Sequence, residues 1–234
     1  VPSMSSSTVS MVFQGRTGME SPGSHDLWRG TAGKGGYDTC MPVPENAMRE
    51  KPAVLAREIV ARSRLFAVEE LQLRFSNGVE RTYERLVGKA GYGAVMVVAM
   101  ADAEHALLVE EYCAGTDDYQ LSLPKGLIEP GEEVLDAANR ELKEEAGFGA
   151  ERLEYLTELS LSPGYMNQRI RVVLARDLYE ERLPGDEPEP MAVSRVNLRE
   201  LSSLVAHPQF SEGRALAALY LTRDLLIQRG ELVL

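Results

Sequence analysis

Residues 126–148, GLIEPGEEVLDAANRELKEEAGF, constrain the fold of this chain more than any other segment. Apolar residues recur there at the spacing of an amphipathic helix, and one face of that helix must pack on a sheet. The predicted packing face consists of Val134, Leu135, Ala138 and Leu142. The turn Pro130-Gly131 precedes the helix, which is predicted to begin near Glu132 and to end at Gly147.

The last turn of this predicted helix carries three carboxylates, Glu141, Glu144 and Glu145. Acidic groups there oppose the helix dipole at about 0.3 to 1 kcal/mol each, and like charges four residues apart add roughly 0.2 to 0.5 kcal/mol. Arg140 can pair with Asp136 and Glu144, which predicts that Glu141 and Glu145 stay uncompensated. A hard divalent cation would resolve this conflict, because such ions prefer carboxylate oxygens. The alternative is a solvated acidic surface helix.

Composition excludes several classes of function. The 234-residue chain has a formal net charge of -11, which argues against a generic grip on nucleic acid or an anionic membrane. Cys40 and Cys113 are too few and too scattered for a disulfide framework or a zinc site, which favours a reducing compartment. No apolar run is long enough for a membrane span, and no export signal is recognisable. We therefore expect a cytoplasmic protein.

The sequence predicts two regions. Residues 1–47 lack helical or strand periodicity and are rich in glycine and serine, which is typical of a disordered tail. Alternatively, this segment is an interaction tail, or it results from an over-long gene model. Residues 48–234 are predicted to form one folded domain, with a hairpin region at 48–90 and a core at 91–234.

Within the folded domain, strands and helices are mixed without regular alternation, so the predicted class is α+β with a mixed sheet. Asn77-Gly78 separates two predicted strands and is a strong hairpin signal. The predicted strands cover residues 66–75, 79–86, 93–100, 106–111, 156–160 and 170–175. An acidic, proline-bearing loop at 179–190 follows, and a helix at 215–228 closes the chain.

The spacing of the fixed residues around the helix is specific. The chain reads Gly-x5-Glu-x7-Arg-Glu-(aliphatic)-x-Glu-Glu-x-Gly, followed by Phe148 where an aliphatic residue is usual. Its fixed positions are Gly126, Glu132, Arg140, Glu141, Glu144, Glu145 and Gly147. This pattern resembles the Nudix box, and the chain is therefore similar to the Nudix hydrolases.

That resemblance implies an α/β/α sandwich around a mixed sheet, and hydrolysis of nucleoside diphosphates linked to another moiety. It also implies a Mg²⁺ cofactor, with Mn²⁺ as a possible substitute. Carried over by position, Glu141 and Glu145 are the principal metal ligands, with Glu144 assisting and acting in catalysis. The backbone carbonyl of Lys125 is another expected ligand. Glu132 and Arg140 are expected to orient these carboxylates.

The flanking segments, such as FSNGVERTYERL and DLYEERLPGDEPEP, resemble the branch of the family that acts on ADP compounds. This implies ADP-ribose, NADH and diadenosine polyphosphates as substrates, with AMP released. In the acidic loop, Glu187 is the candidate general base and Glu189 an additional metal ligand; a solvated acidic turn is the alternative. The candidate substrate-binding residues are Arg85, Arg169, Arg171 and Tyr165, any of which could instead be an ordinary surface group.

Two other functions remain open at this level. The chain could be a Nudix-fold sensor that binds ADP-ribose or NAD without cleaving it, although its acidic box positions are all intact. It could also be a Nudix enzyme with another substrate, such as coenzyme A or an oxidised nucleoside triphosphate. By resemblance, the hairpin region 48–90 is expected to pack across a two-fold axis, which predicts a homodimer.

Overall fold

The structure is a computed structural model, and it describes residues 50–88 and 93–234. The predicted tail, residues 1–47, lies outside the described residues. The secondary-structure elements in the described part form three sheets and three α-helices.

The first sheet is antiparallel and has the order β1-β2-β3, with β1 at Ala53–Arg62, β2 at Ala67–Arg74 and β3 at Glu80–Val87. The predicted hairpin between β2 and β3 is confirmed: Arg74 pairs with Glu80, and Gly78 has a φ of 80° in the turn. Strand β1 was not predicted, because its apolar residues do not alternate with polar ones and all of it is exposed. The region is therefore a three-stranded sheet rather than a lone hairpin.

Two further sheets form the core. One has the order β10-β5-β6, with β5 at His105–Cys113, β6 at Asp118–Ser122 and β10 at Ala192–Asn197. The other has the order β7-β4-β9-β8, with β4 at Gly93–Ala99, β7 at Lys125–Ile128, β8 at Phe148–Ser160 and β9 at Arg169–Glu180. Strands β4 and β9 are parallel, whereas β7 and β8 are antiparallel to their neighbours, so this sheet is mixed as predicted.

Strand β4 shows why helices cover both faces of the mixed sheet. Its residues are almost fully buried, and their side chains alternate between two apolar clusters. Val95 and Val97 pack with helix α1 (Val134–Glu141), whereas Met96 and Val98 pack with helix α3 (Gly213–Gln228). The expected α/β/α sandwich is thereby confirmed.

Several elements differ from the sequence prediction. Strands β6, β7 and β10 and the short helix α2 (Leu201–Val205) were not foreseen, because each is too short to show a clear period. Strand β9 continues to Glu180, so the acidic loop begins at residue 181 rather than at Tyr179. No helix in the described ranges is long and apolar enough to cross a membrane.

Candidate active site

The predicted helix has two parts. Helix α1 ends at Glu141, and residues Leu142–Ala146 continue it as a π-helical turn. Gly147 then ends the helix with a φ of 78°, in the left-handed conformation that glycine adopts most easily. We refer to residues 134–146 as the box helix. Single π-turns of this kind occur frequently at functional sites.

The box helix packs on the mixed sheet through small residues. Ala137, Ala138 and Leu142 are fully buried, and Val134 packs at the edge of the same cluster. The prediction that Leu135 belongs to this face is wrong, since its side chain is 36% exposed. Two adjacent alanines let the helix backbone lie close to β4, and Leu135 then points away from the sheet.

Arg140 is the centre of an ionic network. Its guanidinium donates to Glu132 Oε1 at 2.9 Å, to Glu141 Oε1 at 2.8 Å and to Glu144 Oε2 at 2.9 Å, and also to the Leu127 carbonyl at 2.8 Å. The pairing with Glu144 is as predicted, but the expectation that Glu141 is uncompensated is wrong. The arginine reaches back to Glu132 ahead of the helix instead of to Asp136, and this path brings it past Glu141. The same guanidinium lowers the pKa of Glu132.

Glu145 is the most strongly perturbed carboxyl group of the site. Its side chain is buried, and Oε2 accepts a hydrogen bond of 2.8 Å from the Lys125 backbone N–H. Burial raises the pKa of Glu145 to about 8, although that hydrogen bond and the Lys125 charge favour the ionised form. The nearby Glu141 carboxylate adds to the rise. A bound cation at this position would offset a large desolvation penalty.

Gly126 makes room for the Glu141 carboxyl group. A Cβ atom added at Gly126 would lie 2.2 Å from that group, so no larger residue fits while Glu141 keeps its position. Burial raises the pKa of Glu141, partly offset by Arg140, and the charges of Glu144 and Asp186 add to the rise. The fixed glycine of the motif is therefore required by the packing of a carboxylate against the β7 backbone.

The acidic loop, residues 181–191, is fastened to the π-turn. Backbone N–H groups of Glu181 and Leu183 donate to the carbonyls of Gly147 at 3.2 Å and Lys143 at 3.3 Å. The Lys143 ammonium also pairs with the Glu181 carboxylate at 2.8 Å. Sequence reasoning did not identify Lys143 or Glu181, because neither occupies a fixed motif position. We call this set of contacts the clasp.

The acidic loop brings Glu187 to the same region. The Glu187 side chain is exposed, but partial desolvation by neighbouring atoms raises its pKa, the Glu111 and Asp186 charges raise it further, and Lys125 opposes them. Lys125 in turn forms an ion pair with Glu111 through its Nζ. The Glu189 carboxylate instead accepts a hydrogen bond from the Tyr119 hydroxyl. The loop therefore places one acidic group near the Lys125 side chain and the other against β6.

Comparison with known proteins fits this geometry. The family model for the NUDIX domain matches residues 92–218, more than half of the chain. This chain belongs to the Nudix hydrolase superfamily. A second model, the NudE-type Nudix hydrolase N-terminal domain, matches residues 52–85.

Individual relatives within the Nudix superfamily are similar over most of the folded region. The ADP compounds hydrolase NudE of Escherichia coli (strain K12) is 49% identical over 181 residues, covering 77% of this chain and 96% of that protein. An ADP-ribose pyrophosphatase of Bacillus subtilis (strain 168) is 35% identical over 115 residues, 48% of this chain and 62% of that protein. A crystal structure of an ADP compounds hydrolase superimposes with a TM-score of 0.74 and 48% identity, covering 79% of this chain and 98% of that one.

Nudix hydrolases generally depend on a divalent metal ion, and the donors of this site fit one. Within residues 50–88 and 93–234, no hydrogen bond uses Glu141 Oε2, Glu144 Oε1 or Glu145 Oε1, so each carboxylate retains a free acceptor oxygen. The donors are hard oxygens, which suit Mg²⁺ or Mn²⁺. Those described residues contain no ready-made cluster of three acidic, histidine or cysteine ligands. Arg140 holds one oxygen of Glu141 and one of Glu144, and the Lys125 N–H holds one oxygen of Glu145. These carboxylates would have to rotate to bind one metal ion together.

The predicted substrate-binding residues lie on β3, β9 and the loop before β9. Arg85 pairs with Glu69 at 2.6 Å, and Arg169 and Arg171 lie 2.9 and 3.8 Å from the Glu158 carboxylate. Tyr165 is 72% exposed, and its carbonyl accepts a hydrogen bond from the Leu86 N–H at 2.7 Å. No hydrogen bond or ion pair among the described residues joins these four to the box carboxylates, and Arg171 lies opposite Val95, which also pairs with Gly126 on β7. Their binding role stays a prediction.

Proposed function

We propose that this Nudix hydrolase cleaves the pyrophosphate bond of ADP-linked compounds, namely ADP-ribose, NADH and diadenosine polyphosphates, and releases AMP. The observation that carries the proposal is the pair of buried carboxylates, Glu141 and Glu145, at the end of the box helix. Arg140 offsets the Glu141 charge, but ionising the neighbouring Glu145 as well is unfavourable unless a further cation joins the pair. The names of the similar proteins, an ADP compounds hydrolase and an ADP-ribose pyrophosphatase, support the choice of substrates.

In this proposal, the side chains of Glu141, Glu145, Glu144 and Glu189 hold Mg²⁺, or Mn²⁺ in its place, together with the Lys125 carbonyl. When bound, the metal neutralises charge on the pyrophosphate oxygens and lowers the pKa of the attacking water. Glu132 and Arg140 do not touch the substrate. They fix the direction of the Glu141 and Glu144 carboxylates through the hydrogen bonds described above.

Glu187 is the proposed general base. Partial desolvation raises the pKa of Glu187 above its ordinary value, which makes the carboxylate a stronger base. The neighbouring prolines, Pro188 and Pro190, restrict the backbone of the loop that carries it. In this assignment Glu187 takes the proton of the attacking water, and Glu144 assists from the box helix.

Arg85, Arg169 and Arg171 are proposed to bind substrate phosphates, and Tyr165 to stack on adenine. Each arginine already faces a carboxylate, so phosphate binding would exchange one anionic partner for another. The Arg171 guanidinium packs over Gly93, since a Cβ added at Gly93 would lie 2.4 Å from its Nη1. The planar guanidinium suits bidentate contact with phosphate oxygens.

The test is a product analysis. The protein is incubated with ADP-ribose, NADH and diadenosine triphosphate, and in a parallel reaction with coenzyme A, with and without Mg²⁺. The products are separated by chromatography. We expect AMP from all three compounds with Mg²⁺ and none in EDTA, with Glu145→Gln as the inactive control. Binding of ADP-ribose without any AMP would instead identify a sensor, and cleavage of coenzyme A alone would identify a different Nudix activity.

We also propose a homodimer that forms through the sheet β1-β2-β3. This sheet carries several large apolar side chains that are at least 39% exposed, an unusual density for a free surface. They are Val54, Leu55, Ile59, Val60, Phe66 and Tyr83. Val60→Asp should convert the dimer to a monomer in sedimentation-velocity experiments, whereas Glu58→Asp should not. A monomeric wild-type protein would contradict this assignment. We further place the enzyme in the cytoplasm, without a nucleic-acid or membrane partner.

A further inference from the structure

A cleft of about 400 Å³ lies next to the candidate base, between β5, β6 and the acidic loop. Its lining combines two tyrosines with prolines and acidic residues. The residues that matter here are Tyr112, Tyr119, Glu187, Pro188, Glu189 and Met191. None of the roles assigned above to metal or phosphate uses the two tyrosine rings.

The two rings are held in place, and part of their surface is free. Tyr112 and Tyr119 pack edge to face, with ring centroids 5.6 Å apart, and they are 49% and 40% exposed. The Tyr112 hydroxyl donates to Asp117 at 2.6 Å, and the Tyr119 hydroxyl donates to Glu189. Rings fixed in this way bind a planar partner at a low entropic cost.

The charges around the cleft decide which kind of partner it accepts. Glu110, Glu111, Glu187 and Glu189 all line it, and the nearby Lys125 cation is already paired with Glu111. An anionic phosphate would meet net repulsion there. A neutral planar ring would instead gain stacking on the tyrosines without that repulsion. The cleft is therefore suited to a base and not to a phosphate.

The cleft also adjoins the candidate active site. Glu187 belongs to both, and Glu111 on its wall contacts Lys125, whose backbone N–H holds Glu145. A substrate cleaved beside Glu187 and Glu145 could thus extend its far half into this cleft. The AMP half of the substrate would remain near Arg85, Arg169 and Arg171.

We propose that the cleft beside Tyr112 and Tyr119 binds the neutral planar base of the non-AMP half of a dinucleotide substrate. This inference rests on the proposed function, and it adds a basis for selectivity among the substrates. Adenine of a diadenosine compound and the dihydronicotinamide of NADH would use the cleft. ADP-ribose has no base in that half and would leave the rings without a partner.

ADP-ribose therefore provides an internal control. Tyr119→Leu removes one ring, and the KM ratio of diadenosine triphosphate to ADP-ribose should rise at least about 5-fold, the low end for loss of one base stack. The NADH to ADP-ribose ratio should rise in the same direction. Tyr119→Phe keeps the ring and should change both ratios by less than about 3-fold. Tyr155→Leu, at an equally exposed tyrosine on β8, should leave both ratios unchanged.

Equal KM changes for all three substrates in Tyr119→Leu, or none, would overturn the inference. Thermal unfolding identifies a variant that fails to fold, and Tyr112→Leu then provides the same ratio test. Failure of the proposed function has a different signature, because wild-type protein would then release AMP from none of the three compounds.

Discussion

The box helix and the acidic loop both bring carboxylates to the candidate site, but they hold them by different means. On the box helix, Glu141 and Glu145 are buried, and fixed partners on β7 and Arg140 set their directions. On the acidic loop, Glu187 and Glu189 are exposed residues in irregular backbone, positioned by the clasp and by Tyr119. The box helix thus carries the principal proposed metal ligands, whereas the irregular loop carries the proposed base and the additional ligand Glu189.

The largest effect should come from the base on the loop. Glu187→Gln keeps the size of the side chain but removes its ability to accept a proton, so kcat should fall by at least about 100-fold with metal affinity nearly unchanged. Steady-state kinetics together with a Mg²⁺ titration measures both quantities. Glu180→Gln, an exposed residue at the end of β9, is the matched control and should retain wild-type turnover. If Glu187→Gln turned over normally, the base would have to lie elsewhere.

Gly126→Ala perturbs the position of a carboxylate on the box helix. The added Cβ would displace the Glu141 carboxyl group, which is the movable end of its side chain, so the fold should survive. We expect Mg²⁺ to bind about 10-fold more weakly, with a small change in the melting temperature. Gly164→Ala, where nothing lies within 4 Å of the new Cβ, is the matched control. Unchanged Mg²⁺ affinity in Gly126→Ala would show that Glu141 does not need this position.

The clasp connects the two regions, and breaking it should have a moderate effect. Lys143→Met removes the ion pair with Glu181, so the acidic loop should loosen and kcat should fall roughly 3- to 10-fold. The exchange variant Lys143→Glu, Glu181→Lys should recover most of the loss. In a Glu187→Gln background, Lys143→Met should lower kcat little further, because the residue that the clasp positions is already disabled. If the two substitutions lowered kcat by fully additive amounts, the clasp would act independently of Glu187.

The buried carboxylate also predicts a pH dependence of stability. The pKa of Glu145 is raised to about 8, so the folded metal-free protein binds this proton more tightly than the unfolded chain. Its contribution to stability is therefore greatest at low pH and is lost as the pH rises through about 8. Between pH 6 and 9, the melting temperature in EDTA should fall more steeply for wild type than for Glu145→Gln. If the melting temperatures of the two proteins fell equally with pH, the raised pKa of Glu145 in the folded protein would be contradicted.

Sequence reasoning succeeded best where one periodic segment determines structure. The helix, the stop at Gly147, the hairpin at Asn77-Gly78 and the buried strand β4 were all predicted, because each depends on local pattern. The Arg140 network was only partly predicted, since its contact with Glu132 depends on how the loop before the helix turns back. The π-turn is not encoded by a recognisable period, so the helix was expected to stay regular.

The clasp and the tyrosine cleft could not be predicted for a different reason. Lys143 and Glu181 are 38 positions apart, as are Arg182 and Glu144, and these pairs meet only because β8 and β9 return the chain to the box helix. Tyr119 on β6 and Glu189 on the acidic loop are separated by 70 positions. Such contacts follow from topology, which the pattern of a single segment does not contain.

Isothermal titration calorimetry of Mg²⁺ on the Glu141→Gln, Glu145→Gln double variant tests the central idea most directly. If these two carboxylates hold the metal, its binding heat should disappear while the wild-type protein titrates normally. Circular dichroism establishes that the variant is folded. Wild-type Mg²⁺ affinity in the folded double variant would show that the cation binds elsewhere, and the proposed hydrolysis at this site would then have no basis.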